Sequence, residues 1–378
     1  MKDKEKITRY LLYIMLLSAF LIWAFVFESQ FLDVATKVAL VGVRSILPQG
    51  QCESFYGTTS QHQSAAPETT APTTQPITEE TKAVLSNVTE DFTKTPDDIL
   101  KIVKKAQSTA SKDKKDGSIK EKQYINDGVT DKYGKVRMKN VNKTQVNLKE
   151  ILNEKIDLSV TKDEPSVLIY HTHTTETYHL LERDFYPVGW ATRSNDKGRN
   201  MVRVGEEICR ELEKAGYKVI HDKEIHDAKY TGAYAKSRKS IESYLKKYPS
   251  IQITLDIHRD AIQLTDGTKI KPVAEIKGKK AAQIMIIAGC QEEGGPVTNL
   301  PDWRYNLTFA VHLQNKLEEL FGGITRPLYF CPRSYNMNVT HCSLLVEVGS
   351  DSNTLQEAVY TGKCIGTALA EIMKDYEE

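Results

Sequence analysis

Three short polar segments carry the side chains with the greatest chemical reach. The first is His171-Thr172-His173-Thr174-Thr175-Glu176, directly after the apolar run Val167-Leu168-Ile169-Tyr170. The second is Asp256-Ile257-His258-Arg259-Asp260, and the third is Glu347 followed by Gly349-Ser350-Asp351-Ser352-Asn353. Two of the nine histidines fall in one tripeptide. A catalytic zinc ion takes three protein ligands from imidazoles and carboxylates and leaves one position to water. It brings that water's pKa to about 7, and a carboxylate outside the coordination sphere serves as base, then as acid to a leaving amine. On this pattern His173 and His258 are candidate metal ligands, His171 and Glu176 are further ones, and Glu347 is the proton-transfer candidate. Glu347 stands among Leu344-Leu345-Val346 and Val348, where a carboxylate is costly to bury unless paired. A salt bridge to Arg259 or Arg333 is the structural alternative for it. A hydrogen-bonded pair is the alternative for His171 and His173, and a turn or cap for Glu176. His341 is close enough in sequence to Glu347 to face the same place. His179, His221, His226 and His312 read as structural or solvated.

These segments need strands to carry them. Apolar runs predict strands at 167–170, 217–220, 251–257, 282–288 and 343–348. Met201, Val204, Ile208 and Leu212 stripe a helix over 200–214, which Ala215-Gly216 ends. Further helices are expected over 233–247, around 307–321 and from Leu355 through Ile372. The alternation predicts an α/β fold with a mainly parallel sheet flanked by helices on both faces. In such a sheet chemistry sits at the carboxyl ends of the strands, which is where the polar segments fall.

The chain has 378 residues, about two domain-lengths, with 40% apolar and 27% charged residues. That excludes a wholly disordered chain and a polytopic membrane protein. Lys+Arg is 51 against Asp+Glu 50, a balance that argues against a nucleic-acid partner. There is no Gly-rich phosphate loop. The six cysteines, Cys52, Cys209, Cys290, Cys331, Cys342 and Cys364, contain no C-x-x-C pair, which disfavours a cysteine-ligated metal. An even count is compatible with disulfides, but Cys209, Cys290, Cys342 and Cys364 lie in apolar-patterned elements and read as small buried hydrophobes.

Leu11 to Phe27 is uncharged and, with Tyr10, comes close to the roughly 20 residues that cross a bilayer. It ends in bulky Trp23, Phe25 and Phe27, so an uncleaved anchor is expected rather than a signal peptide. Lys2, Lys4, Lys6 and Arg9 place the N-terminus in the cytoplasm. The expected organisation is a cytoplasmic tail at 1–9, a single-pass transmembrane helix at 10–28, a juxtamembrane segment and linker at 29–123, and an extracytoplasmic catalytic domain at 124–378. Residues 51–81 are rich in Thr, Ser, Pro and Gln, and such a composition stays disordered. Pro67, Pro72 and Pro76 stiffen it into an extended spacer. The Lys-rich stretch 101–122 reads as a loosely structured approach to the folded part.

The segments Val167–Tyr178, Leu255–Asp260 and Leu344–Ser350 together resemble the stage II sporulation protein P family, a group of membrane-anchored cell-wall hydrolases of spore-forming bacteria. The resemblance runs from about Leu148 to the C-terminus, and the anchor and spacer agree in plan. It implies a fold similar to the zinc-dependent N-acetylmuramoyl-L-alanine amidases, with zinc as cofactor and peptidoglycan as substrate. The implied reaction cleaves the amide between the lactyl group of muramic acid and L-alanine, with endopeptidase action on cross-links also credited to the family. The implied setting is septal wall thinning and engulfment during sporulation, at the engulfing septal membrane, with stage II sporulation proteins D and M as partners. Laid on the amidase pattern, His173 and His258 match metal ligands, Glu347 matches the catalytic Glu, and Asn353 falls near the pattern's Ser-Asn. Arg259 and Asn353 are the substrate-binding candidates. The pattern's second ligand, a Glu before the first helix, has no counterpart in Ser194–Asn200. Glu176, Asp196 or His171 would complete the set, Glu176 being favoured. Two other functions compete: a zinc endopeptidase acting only on cross-links, and a non-catalytic wall-binding scaffold.

Overall fold

The structure, a computed structural model, describes residues 90–378. In chain order the elements are α1 (Glu90–Thr93), α2 (Asp97–Gln107), β1 (Lys115–Lys122), β2 (Asp131–Tyr133), β3 (Val136–Asn140), α3 (Leu148–Asn153), β4 (Pro165–Tyr170) and β5 (Phe185–Pro187). Then follow α4 (Met201–Lys214), β6 (Lys218–His221), α5 (Ala233–Lys247), β7 (Ile253–Asp260), β8 (Lys269–Ile276), β9 (Lys279–Ala282) and β10 (Ile284–Gly289). The last are α6 (Trp303–Leu320), β11 (Leu328–Cys331), β12 (Cys342–Ser350) and α7 (Leu355–Lys374).

An eight-stranded sheet has the order β2-β3-β11-β10-β12-β7-β4-β6. The run β12-β7-β4-β6 is parallel. β10 runs antiparallel to β12, and β2 antiparallel to β3. A second sheet, β5-β1-β8-β9, is mixed too. The fold is α/β, but its sheets are mixed, which corrects the mainly parallel expectation. Between β7 and β10 the chain makes the β8–β9 hairpin instead of a helical crossover. A hairpin returns the chain to the end it left, so the next strand runs the opposite way.

Alternation along the strands sends two kinds of side chain to two faces. Val167, Ile169, Leu255, Ile257, Leu344, Val346 and Val348 face α4, α6 and α7 in the main core. On the other face Leu168 and Tyr170 pack with Ile241 of α5, and Met285, Ile287 and Leu345 pack with Val297 and Leu300. Asn200 caps α4 by accepting from the Val202 N–H, and Thr354 with Glu357 forms a capping box on α7. The two helices touch backbone to backbone. A Cβ on Gly362 would lie 2.9 Å from the Val204 carbonyl, and one on Gly366 2.7 Å from that of Ile208.

The folded body takes in residues before 124. Phe92 stacks on Phe321 with ring centroids 5.8 Å apart and meets Tyr360 edge-on at 5.7 Å. Ile99 and Val103, one helical turn apart on α2, are buried in the main core, and Asp98 pairs with Arg203 at 2.8 Å. The 101–122 stretch therefore contains most of α2 and all of β1, not a loose approach. Its lysines occupy the solvent side of elements whose few apolar residues are enough to dock them. Among the described residues no helix is long and apolar enough to cross a membrane. The 11–27 run, the 51–81 linker and Cys52 lie outside the described residues. Cys209, Cys290, Cys331, Cys342 and Cys364 are free and buried.

Candidate active site

Parallel pairing of β12 with β7 sets Glu347 beside His258, and pairing of β4 with β7 sets Tyr170 beside Asp256. Because Ile257 and Val346 face the helical core, His258 and Glu347 share the opposite face. β4 ends at Tyr170, and the chain turns there. The Thr172 N–H and hydroxyl donate to the Asp256 carboxylate at 2.8 and 2.6 Å, and the Glu176 N–H donates to the His173 carbonyl at 3.1 Å. The turn brings the His173 ring to 5.3 Å from that of His258, edge to face. It also brings Glu176 Oε2 to 3.8 Å from His258 Nδ1, where the carboxylate accepts from the Arg259 N–H at 3.2 Å. His173, Glu176, His258 and Glu347 are all buried.

Burial, with the neighbouring cations of His258 and Arg193, lowers the His173 pKa to about 3, so the ring is neutral and a nitrogen lone pair is available. Burial also disfavours charge on His258, but the carboxylates of Asp256, Glu176 and Glu347 outweigh it and raise its pKa to about 9. Asp256 Oδ1 lies 2.8 Å from His258 Nε2. Burial, then the Asp260 carboxylate, pushes the Glu347 carboxyl far above the usual carboxylate range.

The donor set fits a divalent cation. Both ring nitrogens of His173 and Oε2 of Glu347 are buried without a hydrogen-bond partner, while Nε2 of His258 faces Asp256 and leaves Nδ1 toward Glu176. Buried polar atoms are rarely left so, and a positive ion among them would satisfy several at once. A tighter carboxylate group elsewhere, Glu121, Glu182 and Glu357, already holds a side-chain cation between its members. Lys271 Nζ lies 3.1, 2.7 and 2.8 Å from its three members.

His171 sits apart from this cluster. Its Nε2 is 2.9 Å from His221 Nε2, its Nδ1 is 3.0 Å from the Ile257 carbonyl, and both rings lie beneath Gly205 of α4. His171 and His173 would share a face only if β4 continued, and it stops one residue before His171. Asp196 is exposed, and its carboxylate accepts from the Gly198 N–H at 2.9 Å. Of the three acid or imidazole alternatives, Glu176 alone stands beside His258.

The two substrate-binding candidates are engaged inside the fold. Arg259 donates from Nε to the Thr177 carbonyl at 2.8 Å, from Nη1 to that of Asp260 at 3.1 Å and from Nη2 to that of Thr192 at 2.7 Å. The guanidinium is thus spent on carbonyls rather than on Glu347. Asn353 accepts from the Ser350 N–H at 2.9 Å and donates to the Pro272 carbonyl at 3.0 Å and to Glu357 at 2.9 Å. Both side chains are held by bonds within the protein. His341 is exposed, pairs with Asp157 and stacks on Tyr305 at 4.1 Å. His179 stacks under Trp190 at 3.8 Å, and His226 and His312 bond to Asp222 and to the Glu154 carbonyl, each at 2.9 Å.

Several residues of the cluster escape a reading by strand ends. Asp227 accepts from the Thr175 N–H at 3.0 Å and hydroxyl at 2.6 Å, and its Oδ2 is 3.9 Å from His173 Nδ1. Tyr230 stacks on His173 at 4.6 Å. Tyr234 meets that ring edge-on at 5.7 Å and runs parallel to His258 at 6.4 Å. Only Tyr234 lies on α5; Asp227 and Tyr230 come from the loop before it, where helical spacing has no meaning, so no local pattern announces the three together.

The family described as Stage II sporulation protein P (SpoIIP) matches this chain over residues 59–373. Stage II sporulation protein P of Bacillus subtilis (strain 168) is 26% identical over 230 residues, which cover 58% of this chain and 53% of that protein. The chain thus spans about half the length of the curated relative it matches. Among solved structures, N-acetylmuramoyl-L-alanine amidase AmiC2 of Nostoc punctiforme is 12% identical with a TM-score of 0.33, covering 56% of this chain and 96% of that one. The CwlD amidase from Clostridioides difficile, solved in complex with the GerS lipoprotein, is 13% identical with a TM-score of 0.34, covering 56% and 98%. The matched span 59–373 takes in every residue of the buried cluster and nearly all of the described fold, and on that match the chain belongs to the stage II sporulation protein P family.

Proposed function

We propose that this chain is a zinc-dependent peptidoglycan hydrolase that cleaves the amide between muramic acid and the stem peptide, with endopeptidase action on cross-links as a second activity. The observation that carries the reading is the buried cluster of His173, whose two ring nitrogens have no hydrogen-bond partner, with Glu176 and His258 beside Glu347. His173, Glu176 and His258 would hold the ion. When bound, zinc supplies Lewis acidity and a water acidified to near neutral pH.

The rest of the chemistry belongs to the chain. Asp256 places negative charge beside Nε2 of His258, so Nδ1 is the nitrogen nearer Glu176. A carboxylate beside a ligating imidazole fixes its orientation and raises its basicity. Burial raises the pKa of Glu347 above the ordinary carboxylate range, which makes its carboxylate form a stronger base, suited to take a proton from the attacking water and, once protonated, to return it to the leaving amine. Arg259 and Asn353 keep the surrounding loops in place.

Family membership supports the wider reading: septal wall thinning and engulfment during sporulation, with stage II sporulation proteins D and M as partners. The apolar run 11–27 behind a basic tail supports a single-pass anchor that leaves residues 29–378 outside the membrane, at the engulfing septum.

The test is incubation of the purified protein with wall sacculi, with and without a chelator, and identification of the products by mass. Lactyl-ended glycan with intact stem peptides, lost on chelation, is the expected result. Split cross-bridges alone would make it an endopeptidase, and no product under either condition would leave a wall-binding scaffold. Glu347→Gln is expected to abolish hydrolysis while zinc stays bound, and His258→Ala to lose both.

A further inference from the structure

Arg193 reaches both of the candidate ligands that arrive from the turn after β4. Its Nη2 lies 3.4 Å from Glu176 Oε1. Its Nη1 pairs with Asp227 Oδ2, the atom 3.9 Å from His173 Nδ1, and donates to the Thr175 hydroxyl at 3.1 Å. The guanidinium also covers the Tyr230 ring at 5.2 Å, and Tyr230 stacks on His173 at 4.6 Å with the planes 2° apart. One planar group therefore meets the carboxylate of Glu176 directly and the imidazole of His173 through two intermediaries, one ionic and one aromatic.

The backbone that carries it is tied down independently. Glu176 and Arg193 form an antiparallel bridge. The Thr177 N–H donates to the Thr192 carbonyl at 3.1 Å, the Ser194 N–H to the Thr175 carbonyl at 2.7 Å, and Arg259 Nη2 to the Thr192 carbonyl at 2.7 Å. Position 193 would thus stay in place when its side chain changes.

We propose that Arg193 is a positioning residue that sets Glu176 and His173 in the mutual orientation a divalent cation requires. The inference rests on the reading of those two residues and His258 as metal ligands. A lysine ammonium is a single point of charge and cannot span Glu176 and Asp227 as the fork does.

The experiment measures Zn²⁺ affinity of the full-length protein by competition with a chromogenic chelator, alongside the visible spectrum of the Co²⁺-loaded protein and the melting temperature without metal. Arg193→Gln is expected to bind zinc about 10- to 100-fold more weakly, the range for partners of metal ligands. Its cobalt spectrum should change while metal-free melting stays close to that of the parent. Arg193→Lys should recover less than half of the logarithmic loss. Zinc affinity within threefold of the parent, or a metal-free melting temperature that falls in step with affinity, overturns the proposal. His258→Ala separates the two failures. If the parent binds no zinc, or His258→Ala binds as well as the parent, the metal reading itself fails. If His258→Ala loses zinc and Arg193→Gln does not, only the role of Arg193 is wrong.

Discussion

Replacing Gly205 with alanine puts one methyl group into the tightest polar contact beneath α4. A Cβ built there would lie 2.6 Å from His221 Nε2 and 2.7 and 2.8 Å from Nε2 and Cε1 of His171. Neither ring is free to swing away, because His171 is held by the Ile257 carbonyl at 3.0 Å and by His221 at 2.9 Å. Alanine in a helix interior is worth about 1 kcal/mol over glycine. Against that stand overpacking, at about 1–3 kcal/mol, and a broken hydrogen bond between the buried His171 and the half-buried His221 imidazoles, at about 1–3 kcal/mol. Gly205→Ala is therefore expected to lower stability by about 1–5 kcal/mol, against the helix-propensity rule. Guanidinium unfolding of the purified protein measures it through the shift of the midpoint at unchanged slope. Adding His221→Ala gives the His171 ring room to move and should recover part of the loss. A midpoint that stays put or rises in the single variant would refute the packing argument for this face of α4.

The same pair should make the protein acid-sensitive. Burial lowers the pKa of His171 to about 4 and, with His171 beside it, that of His221 to about 2. The unfolded imidazoles titrate near 6.5, so the unfolded state binds more protons as pH falls. Stability is then complete above about pH 6.5 and drains away toward pH 4, by about 3 kcal/mol for His171 alone. Unfolding midpoints across that range, compared with His221→Asn, check it, and equal slopes for the two proteins would contradict it. Lys271→Met removes the ammonium from between Glu121, Glu182 and the buried Glu357 and should cost about 3–5 kcal/mol in chemical denaturation. A neutral substitution would show that Glu357 carries no charge in the folded state. Phe92→Ala takes a ring from between Phe321 and Tyr360, with an expected loss of about 3 kcal/mol and faster proteolysis within residues 90–107. Unchanged protease sensitivity would mean that α1 and α2 dock without it.

Much of the architecture was readable from local pattern. Alternation in Ile253-Thr254-Leu255-Asp256-Ile257-His258 and in Leu344-Leu345-Val346-Glu347-Val348 already assigns His258 and Glu347 to the face opposite the helical core, since a strand's period of two is a property of its own backbone. The helix stripes and the Gly216 stop are local for the same reason. Lys-rich β1 and the polar hairpin β8–β9 carry little such signal, so the antiparallel entry of β10 stayed hidden. The division of labour between His171 and His173 could not be read locally either. It depends on where β4 ends, and the turn is stabilised by Thr172 bonding to Asp256, 84 residues away. Arg193 and Asp227 join the cluster through loops whose positions are set by Arg259 and Thr175. Spacing along the chain decides which residues share a face. Which of them meet across separate loops is decided by hydrogen bonds between segments far apart in sequence, and those exist only once the chain has folded.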